Sequence, residues 1–404
     1  MMMELPKPGE FANCWSLDPK VVFLNHGSFG ACPAAILQRQ DAYRRQLESQ
    51  PIRFLIRELE QQFNTTREKI AAFVNAPLKD LVFVQNATTA VNTVFRSLKF
   101  DRGDEIVYTN HIYAACKRVL DYVADTTGAV LVEASFGFPI DYPGKITDAI
   151  LAKISPKTKI VLIDHISSAT ALIHPVEEIV GALNERGIDT LIDGAHALGS
   201  IPLDLQKINA TYYTANCHKW LCAPKSSAIL YVRSDKQDGI VPAVISHPGH
   251  RASSFTERFY WPGTYDPSAV LAVSDTLDFF SELLPGGFPE AMQKNHELCL
   301  AARNLLCERL NIPKPCPDDM IASMATIMLP VPSPAVEVDY KSIDPLQESI
   351  FRKYHLEVPV WSWSFPVRRL TRISAQRYNS LDQYRYLADV LKKIIEEEQT
   401  VLKK

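Results

Sequence analysis

Seven short runs rich in aliphatic and β-branched residues recur at residues 81–85, 105–110, 129–134, 159–167, 189–194, 211–218 and 227–233. Several are separated by about ten or more residues of helical pattern, room enough for crossover connections rather than tight hairpins. Runs that are apolar on both faces belong in a parallel sheet covered by helices on each side. The spacing therefore predicts an α/β fold with a mainly parallel seven-stranded sheet sandwiched by helices. Residues 112–125 and 175–186 are two of the expected crossover helices. The second has Pro175 just inside its start, followed by Glu177 and Glu178 on the favourable side of the helix dipole.

After Arg233 the pattern changes. Residues 242–267 form a loop rich in Pro, Gly, His and Ser, long for a compact domain and so expected to serve function or an interface. Amphipathic stretches at 268–284 and 287–310 read as helices. Residues 321–329, 358–360 and 370–373 read as strands of a smaller α+β domain closed by a helix over 380–398. The expected division is a large α/β domain over 21–267 and a small α+β domain built from 1–20 and 268–404. No internal repeat or low-complexity segment interrupts it. A chain of 404 residues, 47% hydrophobic, can bury cores of this size.

Charge narrows the partners. Lys and Arg total 43 against 46 Asp and Glu, a net of −3, and neither sign is gathered into a run that suits nucleic acid or an anionic membrane. Small metabolites are the expected ligands. Eight cysteines without framework spacing read as reduced thiols in a cytoplasmic setting. The first twenty residues carry Glu4, Glu10 and Asp18 and no apolar core, so neither a signal peptide nor a membrane span is expected there.

The residues that carry chemistry fall at the ends of the expected strands, where open α/β sheets bind ligands. Lys219, in Ala215-Asn-Cys-His-Lys-Trp-Leu221, and Asp193, in Leu191-Ile-Asp-Gly-Ala-His-Ala-Leu-Gly199, are the decisive pair. A lysine that can form an imine and an aspartate that can hold a ring nitrogen are what a pyridoxal 5'-phosphate (PLP) enzyme requires. Desolvation beside apolar residues would lower the lysine's pKa toward that of a nucleophile. Asn86-Ala-Thr-Thr-Ala-Val-Asn92 opens a helix, so its N–H groups and Thr88 can receive a phosphate, although Asn86 and Thr88 also read as ordinary caps. His111 could stack on a flat cofactor, with Tyr113 as the second candidate. Ser167 or Ser168 could reach a ring oxygen. His196 could bond the cofactor's phenolic oxygen or shield its face. Cys217 and Cys222 lack metal-ligand spacing, and no metal is expected.

Read in order, these residues resemble the class V aminotransferase superfamily of fold type I PLP enzymes, most closely its isopenicillin N epimerase-like branch. The resemblance spans nearly the whole chain: Phe23-Leu-Asn-His-Gly-Ser-Phe-Gly30, Gln50-Pro-Ile-Arg-Phe54, Asn86 to Asn92, Asp193 to Gly199, His218-Lys219, Trp261-Pro-Gly-Thr264 and Arg372-Ile-Ser-Ala-Gln-Arg-Tyr-Asn379. It implies that Lys219 carries the cofactor and that Asp193 pairs with the pyridine nitrogen. Ala87, Thr88 and His218 would contact the phosphate, His111 would stack on the ring, and His196 and Ser168 would lie near the phenolic oxygen. Thr264 would reach the phosphate of a neighbouring subunit, giving a homodimer with shared active sites. Arg372 would grip the substrate carboxylate. Asn25 and His26 would border the substrate pocket. Three features depart from the family pattern. Tyr265 stands where an arginine is common, and Ala171 where glycine is common. Cys316 lacks the setting of a desulfurase's mobile cysteine.

The expected chemistry is attack at the Cα of an amino acid through an external aldimine and a carbanion, with Lys219 as base. Epimerase-like activity leads. A carbon–sulfur lyase or cysteine desulfurase, a class V aminotransferase and a catalytically inactive PLP-binding protein are the alternatives. No residue of the sequence can be assigned as the second acid that epimerisation needs.

Overall fold

The computed structural model describes residues 5–252, 254–330, 344–363 and 368–402, without the side chains of 399–402. Parts of the expected small domain, residues 331–343 and 364–367 among them, lie outside these. Twelve strands occur among the described residues. They are β1 (Val22–Phe23), β2 (Leu81–Val84), β3 (Glu105–Thr109), β4 (Val130–Ala134), β5 (Thr158–Asp164), β6 (Asp189–Asp193), β7 (Tyr212–Asn216), β8 (Ala228–Val232), β9 (Met324–Leu329), β10 (Leu356–Glu357), β11 (Val360–Trp363) and β12 (Arg368–Ser374).

Strands β2 to β8 form the seven-stranded sheet, ordered β2-β8-β7-β6-β5-β3-β4. All but β8 run in one direction. The mainly parallel α/β sheet read from the sequence is thus the sheet observed. Every residue of β7 and β8 is buried, as is nearly all of β5, whereas edge strand β4 is largely open. Helices on both faces leave no solvent side, which is why the central strands lack polar alternation. The inversion of β8 follows from chain length. Only residues 217–227 separate β7 from β8, too few for the crossover that a parallel neighbour requires. Lys219 sits in that short return.

Two helices that the sequence pattern left unread, Ala34–Ser49 and Leu59–Phe73, pack against Ser268–Leu283. Polar contacts reinforce the packing: Arg39 and Tyr43 meet Asp275, and Lys69 meets Asp278. The 242–267 segment is not wholly loop, for Phe255–Tyr260 forms a short helix capped by Ser254, whose Oγ accepts the Glu257 N–H.

In the C-terminal part, β11-β12-β9 form an antiparallel sheet covered by helices Gly287–Leu310 and Leu381–Leu402. The N-terminal segment is tied to it. β1 pairs in parallel with β10, the Gly9 N–H donates to Tyr378 O, and Ser374 N–H donates to Leu24 O. These bonds carry residues 25–30 from the small sheet to the strand ends of the large one. No described helix is long and apolar enough to cross a membrane.

Candidate active site

The carboxyl ends of the parallel strands deliver Asn86, Asn110, Asp164, Asp193 and Asn216 to one edge of the sheet, and the Lys219 turn lies across that edge. Two glycines admit it. At Gly30 (φ +70°) a Cβ would stand 2.0 Å from the His218 carbonyl oxygen, and at Gly199 (φ +81°) it would stand 2.6 Å from the backbone of Trp220 and Leu221. No other residue permits backbone approach this close with a left-handed φ. His26 supports the turn from behind. Its Nε2–H donates to Lys219 O at 2.9 Å and its Nδ1 accepts from the Tyr378 hydroxyl at 2.9 Å. Fully buried, with both nitrogens engaged, His26 braces the lysine backbone rather than lining an open pocket.

The Lys219 amine lies 3.1 Å from His196 Nε2. Burial, helped by the Arg372 cation, lowers its pKa to about 8, against the pull of Asp193, Cys116 and Asp164. Asp193 is buried; its Oδ1 accepts the Ala195 N–H at 3.0 Å and its Oδ2 accepts the Cys116 S–H at 3.2 Å. No described cation bonds it. Burial accordingly raises its pKa, opposed by those two hydrogen bonds and by the Lys219 charge. Asp164 is its register partner on β5 and is pushed up further, by burial and then by Asp193 itself. A buried carboxylate without a cation is costly. A protonated ring nitrogen at Asp193 would complete it.

Helix Ala87–Ser97 opens beside these groups. Asn86 caps it, its side chain accepting the Thr89 N–H at 2.8 Å, while the Ala87 N–H donates to Asn216 Oδ1 at 2.9 Å. No described residue bonds the Thr88 hydroxyl, which is left for an anion at the positive helix end. His218 donates Nδ1–H to Ser227 O at 3.2 Å, which leaves Nε2 as the ring's remaining site. Burial lowers its pKa to about 4, so a phosphate held at Nε2 must bring or induce a second proton.

Arg372, on β12, enters from the small sheet. Its Nη1 donates to Ser168 O at 2.5 Å and Ser168 Oγ at 3.1 Å, and its Nη2 to Ser28 Oγ at 3.1 Å. Ser28 in turn donates to Asn25 Oδ1 at 2.6 Å. The guanidinium is buried and lies over Trp361, yet no described carboxylate pairs with it and its Nε has no partner. Burial lowers its pKa to about 10. A cation held this way has room for an anionic ligand.

Thus Lys219, Asp193, His196, Ser168, Arg372 and Asn25 converge, with Ala87, Thr88 and His218 beside them. His111 is buried at the same edge, one face stacked on Phe136 at 4.0 Å, with Nδ1 on the Thr170 hydroxyl at 2.7 Å. Thr264 stands apart. It is exposed, between Pro262 and Tyr265, which line a cavity of about 320 Å³ together with Gln85, Thr89 and Ser226. Cys316 is buried, and its thiol is pushed up to about 12 by that burial, unlike a reactive thiolate. Four participants escaped the sequence reading: Ser28, Cys116, Asn216 and Trp220. Asn216 alone carried a signal, as a polar residue ending a fully buried strand.

The residues present fit PLP: an amine of lowered pKa, a buried carboxylate without a cation, and a helix start with a free hydroxyl. A family model described as Aminotransferase class-V matches residues 22–322. The chain is 30% identical over 403 residues to the probable L-cysteine desulfhydrase, chloroplastic, of Arabidopsis thaliana, covering 94% of this chain and 84% of that protein. It is 30% identical to the isopenicillin N epimerase of Streptomyces clavuligerus, covering 93% and 95% respectively. The cysteine desulfurase of Thermococcus onnurineus NA1 shares the fold, with a TM-score of 0.77 at 19% identity over 98% of this chain and 100% of that one. By sequence and by fold, the chain belongs to the aminotransferase class-V family, PLP-dependent enzymes of fold type I.

Proposed function

We propose that the protein is a carbon–sulfur lyase acting on cysteine or a cysteine conjugate, with Lys219 as its single base. One observation carries this reading: the Lys219 amine has a pKa lowered to about 8, which suits it to take a proton, while the imidazoles around it are committed. His26 and His111 have both ring nitrogens bonded, His196 is bonded by Trp220 and Lys219, and His218 donates to Ser227. Elimination needs one base, whereas epimerisation needs a second acid on the opposite face.

Bound in this site, PLP supplies an electron sink conjugated with the substrate's Cα. Lys219 would hold its aldehyde carbon, Asp193 its ring nitrogen, Ala87, Thr88 and His218 its phosphate, Ser168 and His196 its phenolic oxygen, and His111 a face of its ring. Arg372 grips the α-carboxylate through its fork of N–H donors, with Asn25 and Ser28 fixing one arm. Lys219 Nζ would take the Cα proton. The Cβ–S bond then breaks with its electron pair leaving on sulfur, and the three-carbon remainder hydrolyses to pyruvate and ammonia.

A second reading, epimerisation, is favoured by Tyr113. Its phenol is 45% exposed and close enough to Asp193 and Arg372 for their charges to act on it, beyond the burial that chiefly raises its pKa. Incubation with L-cysteine and cysteine thioethers, assaying sulfide or thiol together with pyruvate, separates the two. Stoichiometric release supports the lyase. Racemised amino acid without pyruvate, abolished by Tyr113→Phe, supports the epimerase and overturns the lyase.

The working unit we infer is a homodimer in which Thr264 of each subunit reaches the phosphate of the other. Its support is the exposed loop carrying Thr264 and the apolar Val244 and Ile245, which are 59% and 60% exposed. Eight free thiols suit a reducing compartment such as the cytoplasm.

A further inference from the structure

We propose that Trp220 fixes the proton of His196 on Nε2 and thereby favours the Lys219 side chain as a hydrogen-bond acceptor, a neutral amine, in the cofactor-free site. Trp220 Nε1 lies 3.3 Å from His196 Nδ1, and His196 Nε2 lies 3.1 Å from Lys219 Nζ. An indole N–H only donates. His196 Nδ1 must therefore present its lone pair, and in a neutral imidazole the proton then sits on Nε2. That N–H points at Lys219 Nζ, where a free amine offers a lone pair and an ammonium offers none.

The alternatives fail on the same geometry. Turning the imidazole over would set ring carbons against both partners and lose both bonds. An imidazolium would oppose two N–H groups at Nδ1. It is also disfavoured by burial and by the Arg372 cation that faces it, while Lys219, His218 and His26, which face it too, add to this only in their charged forms. Around Lys219 itself, Arg372 favours the neutral amine, while Asp193, Cys116 and Asp164 favour the ammonium.

The indole cannot easily turn away. Trp220 is 1% exposed and its ring packs 4.9 Å from that of His26, the same imidazole that holds the Lys219 carbonyl. One turn, admitted by Gly199, therefore positions both the amine and the donor that governs its protonation. Trp220 is a positioning residue: it acts on Lys219 through His196.

The bearing of this relay on catalysis rests on Lys219 being the amine that carries the cofactor, so its test uses the cofactor-free protein. With ¹⁵N-labelled histidine, long-range ¹H–¹⁵N spectra report the tautomer of each ring, and His196 is assigned by the signal lost in His196→Gln. The expected result is a protonated Nε2 and a bare Nδ1. Trp220→Phe keeps the ring and removes the donor, which frees His196 to accept from a Lys219 ammonium. The pKa of Lys219, read from the pH dependence of its labelling by an amine-reactive reagent and peptide mass spectrometry, should then rise by about one unit, a roughly tenfold change in proton affinity. A proton on Nδ1 in the wild type overturns the proposal, as does an unchanged Lys219 pKa in folded Trp220→Phe. Should that variant not fold, the wild-type tautomer decides. Borohydride trapping of PLP on a different lysine would sink the reading of the site while leaving the tautomer result to stand for the relay.

Discussion

The two sides of the site differ in how complete they are. Around the Lys219 turn itself the polar atoms are spoken for: the turn is braced by His26, its amine is matched by His196, and His196 is matched by Trp220. On the Arg372 side a buried guanidinium leans on neutral oxygens of Ser168 and Ser28, with Nε unpartnered and no described carboxylate opposite. A finished arrangement lowers the proton affinity of an amine. An unfinished one keeps a cation waiting for an anion. On the proposed function, the covalent chemistry falls to the first side and substrate recognition to the second, and each side can be broken separately.

The largest effect belongs to Lys219→Ala. Loss of the base should lower turnover by about 10³-fold or more, toward the upper range for a positioned proton-transfer group. The visible absorption of lysine-bound cofactor should vanish while circular dichroism stays native. Residual activity within tenfold of wild type would sink the assignment of Lys219 as base.

Arg372→Lys comes next and probes the other side. A lysine keeps the charge but not the planar fork, so KM for the amino acid should rise about 10- to 100-fold, as lost charge-assisted hydrogen bonds of roughly 1.5–3 kcal/mol imply. The rate at saturation should change far less. A fall in kcat with KM unchanged would show that Arg372 serves the chemical step, and the contrast between the two sides would collapse.

The pH profile sharpens the comparison from the amine's side. Lys219 accepts a proton only when neutral, and burial already lowers its pKa to about 8 in the cofactor-free site. The rate at saturating substrate should therefore rise with pH along one limb, tenfold per unit where chemistry limits turnover, and level off once the amine is neutral in the complex. Trp220→Phe should displace that limb to higher pH. A limb that stays in place while Lys219→Ala remains inactive would point to another titrating group.

The finished side was also the more legible one, though not in its finish. Runs buried on both faces announce themselves by composition alone, which is why the central strands of the large sheet were readable, and the open edge strand β4 showed through its β-branched and aliphatic residues. Asp193 and Lys219 stood out because charged groups at the ends of such runs demand a partner. What sequence spacing cannot carry is a contact between distant segments. Trp220 read only as an aromatic neighbour of the lysine, and its N–H donation to His196 becomes visible only when the turn is folded across the strand ends. His26 suggested a pocket residue by its motif, and the structure sets it behind the lysine. Ser28, which receives the Arg372 arm, lay inside the 23–30 motif with no role of its own. The helices Ala34–Ser49 and Leu59–Phe73 were missed for a different reason. The first buries only Ile36 and Gln40, so its apolar stripe is too thin to recognise.

Cys116 offers the smallest and most discriminating test. Its S–H is the only side-chain donor bonded to Asp193 among the described residues, at 3.2 Å, and it favours the ionised carboxylate. A thiol is a weak donor, so Cys116→Ala should cost kcat only about twofold to tenfold, at or below the usual worth of one hydrogen bond. The alanine leaves Asp193 less well satisfied and so less acidic, which should weaken retention of the cofactor modestly without touching KM for substrate. Cys116→Ser supplies a stronger donor in nearly the same place and should restore or exceed wild-type retention. If Cys116→Ala instead raises KM as Arg372→Lys is expected to do, the division between a cofactor side and a substrate side is wrong. If both variants behave as wild type, Asp193 relies on its backbone bond to Ala195 and on the ligand itself, and the thiol is packing only.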